Sequence, residues 1–298
     1  MPVSETPALA APIAVREPGK VWLALASLYL IWGSTYLAIR VALESFPPLE
    51  LAGIRFLLAG IALLLWERLR GTPLPGARGW GASAVIGLLL VGANTLVTVA
   101  EQWVSSGLSA VAIGSVPLWV GILSGLFGRW PARRDWLGLS VGFCGVLLLN
   151  LGGDLRGQPL GAGLLVLSTL SWSLGSLLKP RLPMPAGLSG TGAMMLCGGV
   201  ADLLLSALTH EPQVLAASGR ALFALAWLTV LGSIVAYSAF AWLLSQVRPT
   251  LATSYAYVNP VVAMALGALL LGEPITGLSL AAMALILLGV GLLTQGKT

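Results

Sequence analysis

Apolar runs of about 20 residues, each long enough to cross a hydrocarbon core roughly 30 Å thick as a helix, recur from end to end of this 298-residue chain. Ten can be marked: Val21 to Ala42, Leu49 to Trp66, Gly79 to Val104, Leu108 to Gly128, Trp136 to Leu151, Leu160 to Leu178, Leu188 to Leu208, Ala221 to Gln246, Thr250 to Leu271 and Thr276 to Thr294. The turns between them leave no room for a water-soluble domain. Only 9% of residues are charged and 57% are apolar, against roughly 25% charged in soluble domains. These features predict an all-α integral membrane fold of ten transmembrane helices, whose work is done inside the bilayer.

The cations set the orientation, because cytoplasmic loops collect Lys and Arg. With the N-terminus inside, the inner ends hold Arg16, Lys20, Arg68, Arg70, Arg78, Arg129, Arg133, Arg134, Lys179, Arg181, Arg248 and Lys297, and the outer ends only Arg40, Arg156 and Arg220. Arg55 falls within a span. Both termini are therefore expected in the cytoplasm of a bacterial-type inner (plasma) membrane, with residues 1–20 as an N-terminal tail. A net charge of +5 spread in ones, twos and threes between apolar runs does not describe a nucleic-acid surface.

The chain also repeats itself. A shift of 143 residues lays Pro117 on Pro260 and Pro131 on Pro274, and the fragment Tyr29-Leu-Ile-Trp matches Thr169-Leu-Ser-Trp, setting Trp32 opposite Trp172. The repeat divides the chain into five-helix units at 21–151 and 159–294. Five is odd, so the second unit must cross in the opposite sense, giving inverted repeats. That architecture can open a shared central site to either side by alternating access. Pro117 and Pro260 are expected to kink matching helices.

The stretch Ile31-Trp-Gly-Ser-Thr-Tyr, the pair Arg55-Phe56 with Ala59, and Leu271-Gly-Glu-Pro with Gly289-Val, in this order on matching spans, resemble the EamA-type ten-helix exporters of the drug/metabolite transporter superfamily. The resemblance covers nearly the whole chain. It implies efflux of amino acids, related metabolites or amphipathic and cationic drugs through a central cavity.

Uncharged polar and aromatic residues at mid depth are the candidates for lining that cavity, since they supply hydrogen bonds and ring faces without a permanent charge in lipid. They are Trp32, Asn94, Thr95, Thr98, Trp119, Trp172, Tyr237, Tyr255, Tyr257 and Asn259. Arg55 is expected to form a gating ion pair with one of Glu50, Glu101 or Asp202. Glu101 and Asp202 are also the candidate carriers if protons are the coupling ion; without them the protein would be a facilitator. Glu273 reads as a turn residue.

Other classes have little to build on. The single histidine, His210, beside Glu211 and Pro212, reads as a loop residue, which leaves an intramembrane enzyme or a metal site without its parts. Cys144 and Cys197 show no partner pattern and read as small core residues. No Walker sequence is present, and no cofactor is expected. A lipid or polyprenol flippase is the main alternative function.

Overall fold

A computed structural model describes residues 18–104, 109, 112–149, 159–212, 214, 216–271 and 277–294. Among the described residues ten helices of eleven residues or more follow one another: α1 (Pro18–Ala42), α2 (Pro48–Leu69), α3 (Ala77–Ala100), α4 (Val116–Leu126), α5 (Arg133–Leu149), α6 (Pro159–Leu178), α7 (Gly187–Leu208), α8 (Gly219–Gln246), α9 (Tyr255–Leu271) and α10 (Gly277–Thr294). Among the described residues there is no strand. The expected ends at Leu108, Leu151 and Thr276, most of the 1–20 tail, and Glu273 with Pro274 lie outside the described residues.

Leu23, Leu30, Leu204, Leu208 and Phe223 are each more than half exposed. A surface so apolar would drive a water-soluble monomer to aggregate, but it is the surface lipid requires. Cys144 belongs to this exposed face, against its expected place in the core.

Three spans depart from the expected outline. α4 begins at Val116 after a break at Ser115, because Pro117 has no N–H for the carbonyl of Ile113. Pro117 thus occupies a first-turn position, where the missing donor costs nothing. Pro260 lies inside α9 and leaves the carbonyl of Ala256 without its helical partner. Both matched prolines therefore lie at interruptions, Pro117 just after the break within Ala112–Leu126 and Pro260 inside α9. α9 is preceded by a separate turn, Pro249–Ala252, and α8 carries an unexpected π-helical segment at Leu228–Val235.

Helix neighbours obey the repeat. α2 packs on α7 and α5 on α10; α1 packs on α8 and α9 as α6 packs on α3 and α4; α3 meets α7 as α8 meets α2. Adding five to each helix number maps these contacts onto themselves. The α2·α7 and α5·α10 contacts, each of which maps onto itself, are built on small residues, which let backbones approach where lipid offers no hydrophobic drive to associate. A Cβ on Gly60 would lie 2.6 Å from the backbone nitrogen of Leu196, and one on Gly289 would lie 2.5 Å from that of Gly142.

Gly60→Ala should therefore push α2 off α7 and lower stability by about 1–3 kcal/mol, the usual cost of overpacking. Gly92→Ala, whose new methyl would meet nothing within 4 Å, should keep stability or raise it slightly, as a clash-free Gly→Ala change inside a helix does. Thermal unfolding of both variants in one detergent checks the contrast; equal midpoints would show that the close approach is not limiting.

Candidate functional site

Helices from both halves surround a cavity near mid-span. Trp32, Thr35, Tyr36 and Ile39 of α1 line it with Ala93, Asn94 and Val97 of α3, and Ile113 before the break and Val116 at the start of α4 complete the first half's share. The second half contributes Ser168 and Trp172 from α6 and Tyr255 and Asn259 from α9. Most of these residues are three or four apart, the spacing that stacks side chains on one helix face. The free volume is about 50 Å³, room for a few water molecules. A larger solute would need the walls to part.

One end is shut by rings. Trp32 meets Trp172 at 5.4 Å between centroids, Tyr237 at 5.3 Å, Phe240 at 5.5 Å and Tyr255 at 4.5 Å. Most of these contacts are edge-to-face, the arrangement favoured by ring quadrupoles. The indole N–H of Trp32 donates to the carbonyl of Gly232 at 3.0 Å, within the π segment. Tyr237 sits behind the wall, where its hydroxyl donates to the carbonyl of Leu90.

At the opposite end, beyond Tyr36 and Ile39, a wider chamber of about 700 Å³ is lined by Arg40, Phe46, Glu101 and Glu211 among others. Glu101 is buried, and its carboxylate oxygens have no hydrogen-bond partner among the described residues. Arg40 reaches only its main-chain carbonyl, at 3.3 Å. Glu211 has a different task. It accepts from the backbone nitrogens of Leu49 and Glu50 at 3.1 and 3.0 Å and from the Ser206 hydroxyl at 2.9 Å. A carboxylate there satisfies the free N–H groups of α2 and complements its dipole, tying the loop after α7 to the start of α2.

Among the described residues, no carboxylate lies within ion-pair distance of Arg55. Its Nε donates to the carbonyl of Leu228 at 3.1 Å and to the Ser233 hydroxyl at 2.7 Å, and its Nη1 to Asn94 Oδ1 at 3.2 Å. The three expected partners are engaged elsewhere or set apart. Asp202 accepts from the Thr95 hydroxyl at 2.8 Å, and Glu50 faces the backbone nitrogen of Val214 at 3.3 Å near the chamber. Glu101 stands with Arg40.

Of the ten expected lining residues, the cavity brings together Trp32, Asn94, Trp172, Tyr255 and Asn259. Tyr237 supports them from behind. Thr95 and Thr98 point elsewhere, to Asp202 and to the Asn94 carbonyl. Trp119 is half-buried away from the cavity. Tyr257, two residues from Tyr255 and so on another helix face, donates to the carbonyl of Leu139 on α5 at 2.9 Å. Tyr36 and Ser168 went unanticipated, although each stands one turn from a tryptophan of the wall.

The sequence model of the EamA-like transporter family matches this chain twice, over residues 19–151 and 159–295. An inner membrane transporter of Escherichia coli strain K12, YedA, is 44% identical over 276 residues, covering 92% of this chain and 90% of that one. A probable amino-acid metabolite efflux pump of Salmonella typhimurium is 26% identical over 274 residues, covering 88% and 90%. A crystal structure 18% identical to the chain superposes with a TM-score of 0.77 over 93% of this chain and 97% of its own, a likeness of fold. With its helices laid out for lipid and both stretches of five matched, the chain is a membrane transporter and belongs to the EamA-like transporter family.

Proposed function

We propose that this protein exports small metabolites such as amino acids, or amphipathic and cationic drugs, by alternating access at the central cavity between two inverted five-helix repeats, 21–151 and 159–294. The observation that carries the reading is the composition of the cavity wall. Trp32 and Tyr36 come from one half and Trp172, Tyr255 and Asn259 from the other, so a bound solute would touch both halves and feel any motion between them. Aromatic faces accept apolar groups and cations alike, and Asn94, Asn259 and Tyr36 add hydrogen bonds. The name of the Salmonella relative, an amino-acid metabolite efflux pump, supports the amino-acid side of this reading.

Counterflow in proteoliposomes tests the reading. Exchange of a labelled solute from a panel of amino acids and organic cations should be lost on Trp172→Ala and cut about tenfold or more on Asn259→Ala, whose buried amide oxygen has no hydrogen-bond partner among the described residues. Full exchange by both variants would move the substrate path away from this cavity.

Among the described residues no carboxylate lines the cavity, which supports a carrier that follows the gradient of its solute. Dissipating the pH gradient should leave the exchange rate unchanged. Protonophore-sensitive accumulation abolished by Glu101→Gln would instead place proton coupling at the chamber end.

Cytoplasmic termini in a bacterial-type inner membrane follow from the Lys and Arg distribution. On a background lacking Cys144 and Cys197, Ser45→Cys should react with an impermeant maleimide from outside intact cells. Thr72→Cys should react only after lysis; the reverse pattern would invert the assigned orientation.

A further inference from the structure

Arg55 is 1% exposed, and a buried cation without a counterion is costly. Its donors are shared among neutral acceptors, and Nη2 has no hydrogen-bond partner among the described residues. The guanidinium stands directly behind the cavity wall. Nη1 bonds to Asn94, which lines the cavity. The Nη2 side adjoins Gly232 next to Thr35: a Cβ built on Gly232 would lie 3.0 Å from Nη2 and 3.1 Å from the Thr35 methyl, and Thr35 also lines the cavity.

Asn94 has one acceptor and one donor group on its amide, whereas arginine only donates. The atom facing Arg55 must therefore be Oδ1, and the amino group is left for the cavity side. A positive charge one residue behind that amide polarises it further, an effect that a low dielectric strengthens. Among the described residues no carboxylate cancels the charge at contact: Asp202 is held by Thr95, and Glu101 lies at the chamber end.

We propose that Asn94, oriented and polarised by Arg55, is the subsite for a carboxylate on the transported solute. Arg55 is then a positioning residue that acts through Asn94. The aromatic cluster takes the remainder of the solute, and Asn259 Oδ1, an acceptor on the same cavity with no hydrogen-bond partner among the described residues, faces its ammonium. This inference rests on the carrier reading above and narrows it: zwitterions with a carboxylate are preferred to plain organic cations, which the Arg55 field repels.

The test compares counterflow of leucine and phenylalanine with that of leucinamide and phenylalaninamide, which keep the ammonium and side chain but lose the carboxylate charge. Wild-type protein should exchange the amino acids about tenfold or more faster than the amides, the scale set by a hydrogen bond to a charged group. Asn94→Asp should abolish that preference while keeping the midpoint of thermal unfolding or raising it, because the new carboxylate pairs with Arg55 and no longer presents a donor. An Asn94 that does not meet the carboxylate predicts intact amino-acid selectivity in Asn94→Asp, and that result would overturn the proposal. Amides exchanged as fast as amino acids by wild-type protein would overturn the carboxylate subsite and leave the carrier reading standing. If Asn94→Asp cannot be isolated as monodisperse protein, the wild-type comparison decides alone. A wild type that exchanges none of the four solutes removes the carrier reading for amino acids and this subsite with it.

Discussion

A guanidinium in the middle of a membrane protein must be satisfied by the protein, because lipid supplies no hydrogen bonds. At Arg55 the satisfaction comes largely from backbone and hydroxyl groups of α8. The π register of Leu228–Val235 inserts an extra residue into the turn, which disturbs the regular ladder and turns carbonyls toward outside partners. Two such carbonyls are taken by the first half of the chain, that of Leu228 by Arg55 and that of Gly232 by Trp32. One irregularity in α8 thus fixes a charged side chain of α2 and a central ring of α1. Through Asn94 it also reaches α3.

Trp32 shows how this propagates. With its N–H tied to Gly232, the indole is held in one orientation, and four other rings arrange around it at centroid distances of 4.5–5.5 Å. Each such contact contributes about 0.5–1.5 kcal/mol beyond area burial. The closed end of the cavity is therefore one cooperative cluster, and its centre is positioned by the same segment that holds Arg55.

Much of this was legible in the sequence at the level of spans and repeats. Ten apolar runs with short turns leave few alternatives, and the Trp32–Trp172 match across the repeat named two residues that do meet, at 5.4 Å. Helix faces were harder to read. In a soluble protein a polar stripe marks the outer side, but here lipid-facing and protein-facing residues are equally apolar. The phase of α9 was therefore not fixed by composition, and Tyr257 was grouped with Tyr255 although a 100° turn per residue separates their directions. The ion pair failed for a related reason: opposite charges suggest each other in sequence, while the neutral acceptors that hold Arg55 depend on a π segment that no residue of α8 advertises. Glu211 escaped notice as a cap because its target, the start of α2, is more than 160 residues away in the chain.

The two seams related by the repeat, α2·α8 and α3·α7, are built alike in one respect. Each is joined by a single charged residue bonded to a hydroxyl on the facing helix, Arg55 to Ser233 and Asp202 to Thr95. The charges are opposite in sign, and both lie toward the chamber end, seven residues after the start of α2 at Pro48 and six before the end of α7 at Leu208. Further from that end, α3 and α7 touch through apolar and backbone groups: a Cβ on Gly198 would lie 2.5 Å from that of Val91. Among the described residues no side-chain hydrogen bond crosses this part of either seam. Hydrogen bonds to charged groups in a dry interior resist separation more strongly than individual van der Waals contacts, which shift at little cost. The α3·α7 seam is thus held toward the chamber end by a polar bond and further in by shape, whereas the Arg55 bonds of the α2·α8 seam lie beside the Gly232 carbonyl that holds Trp32.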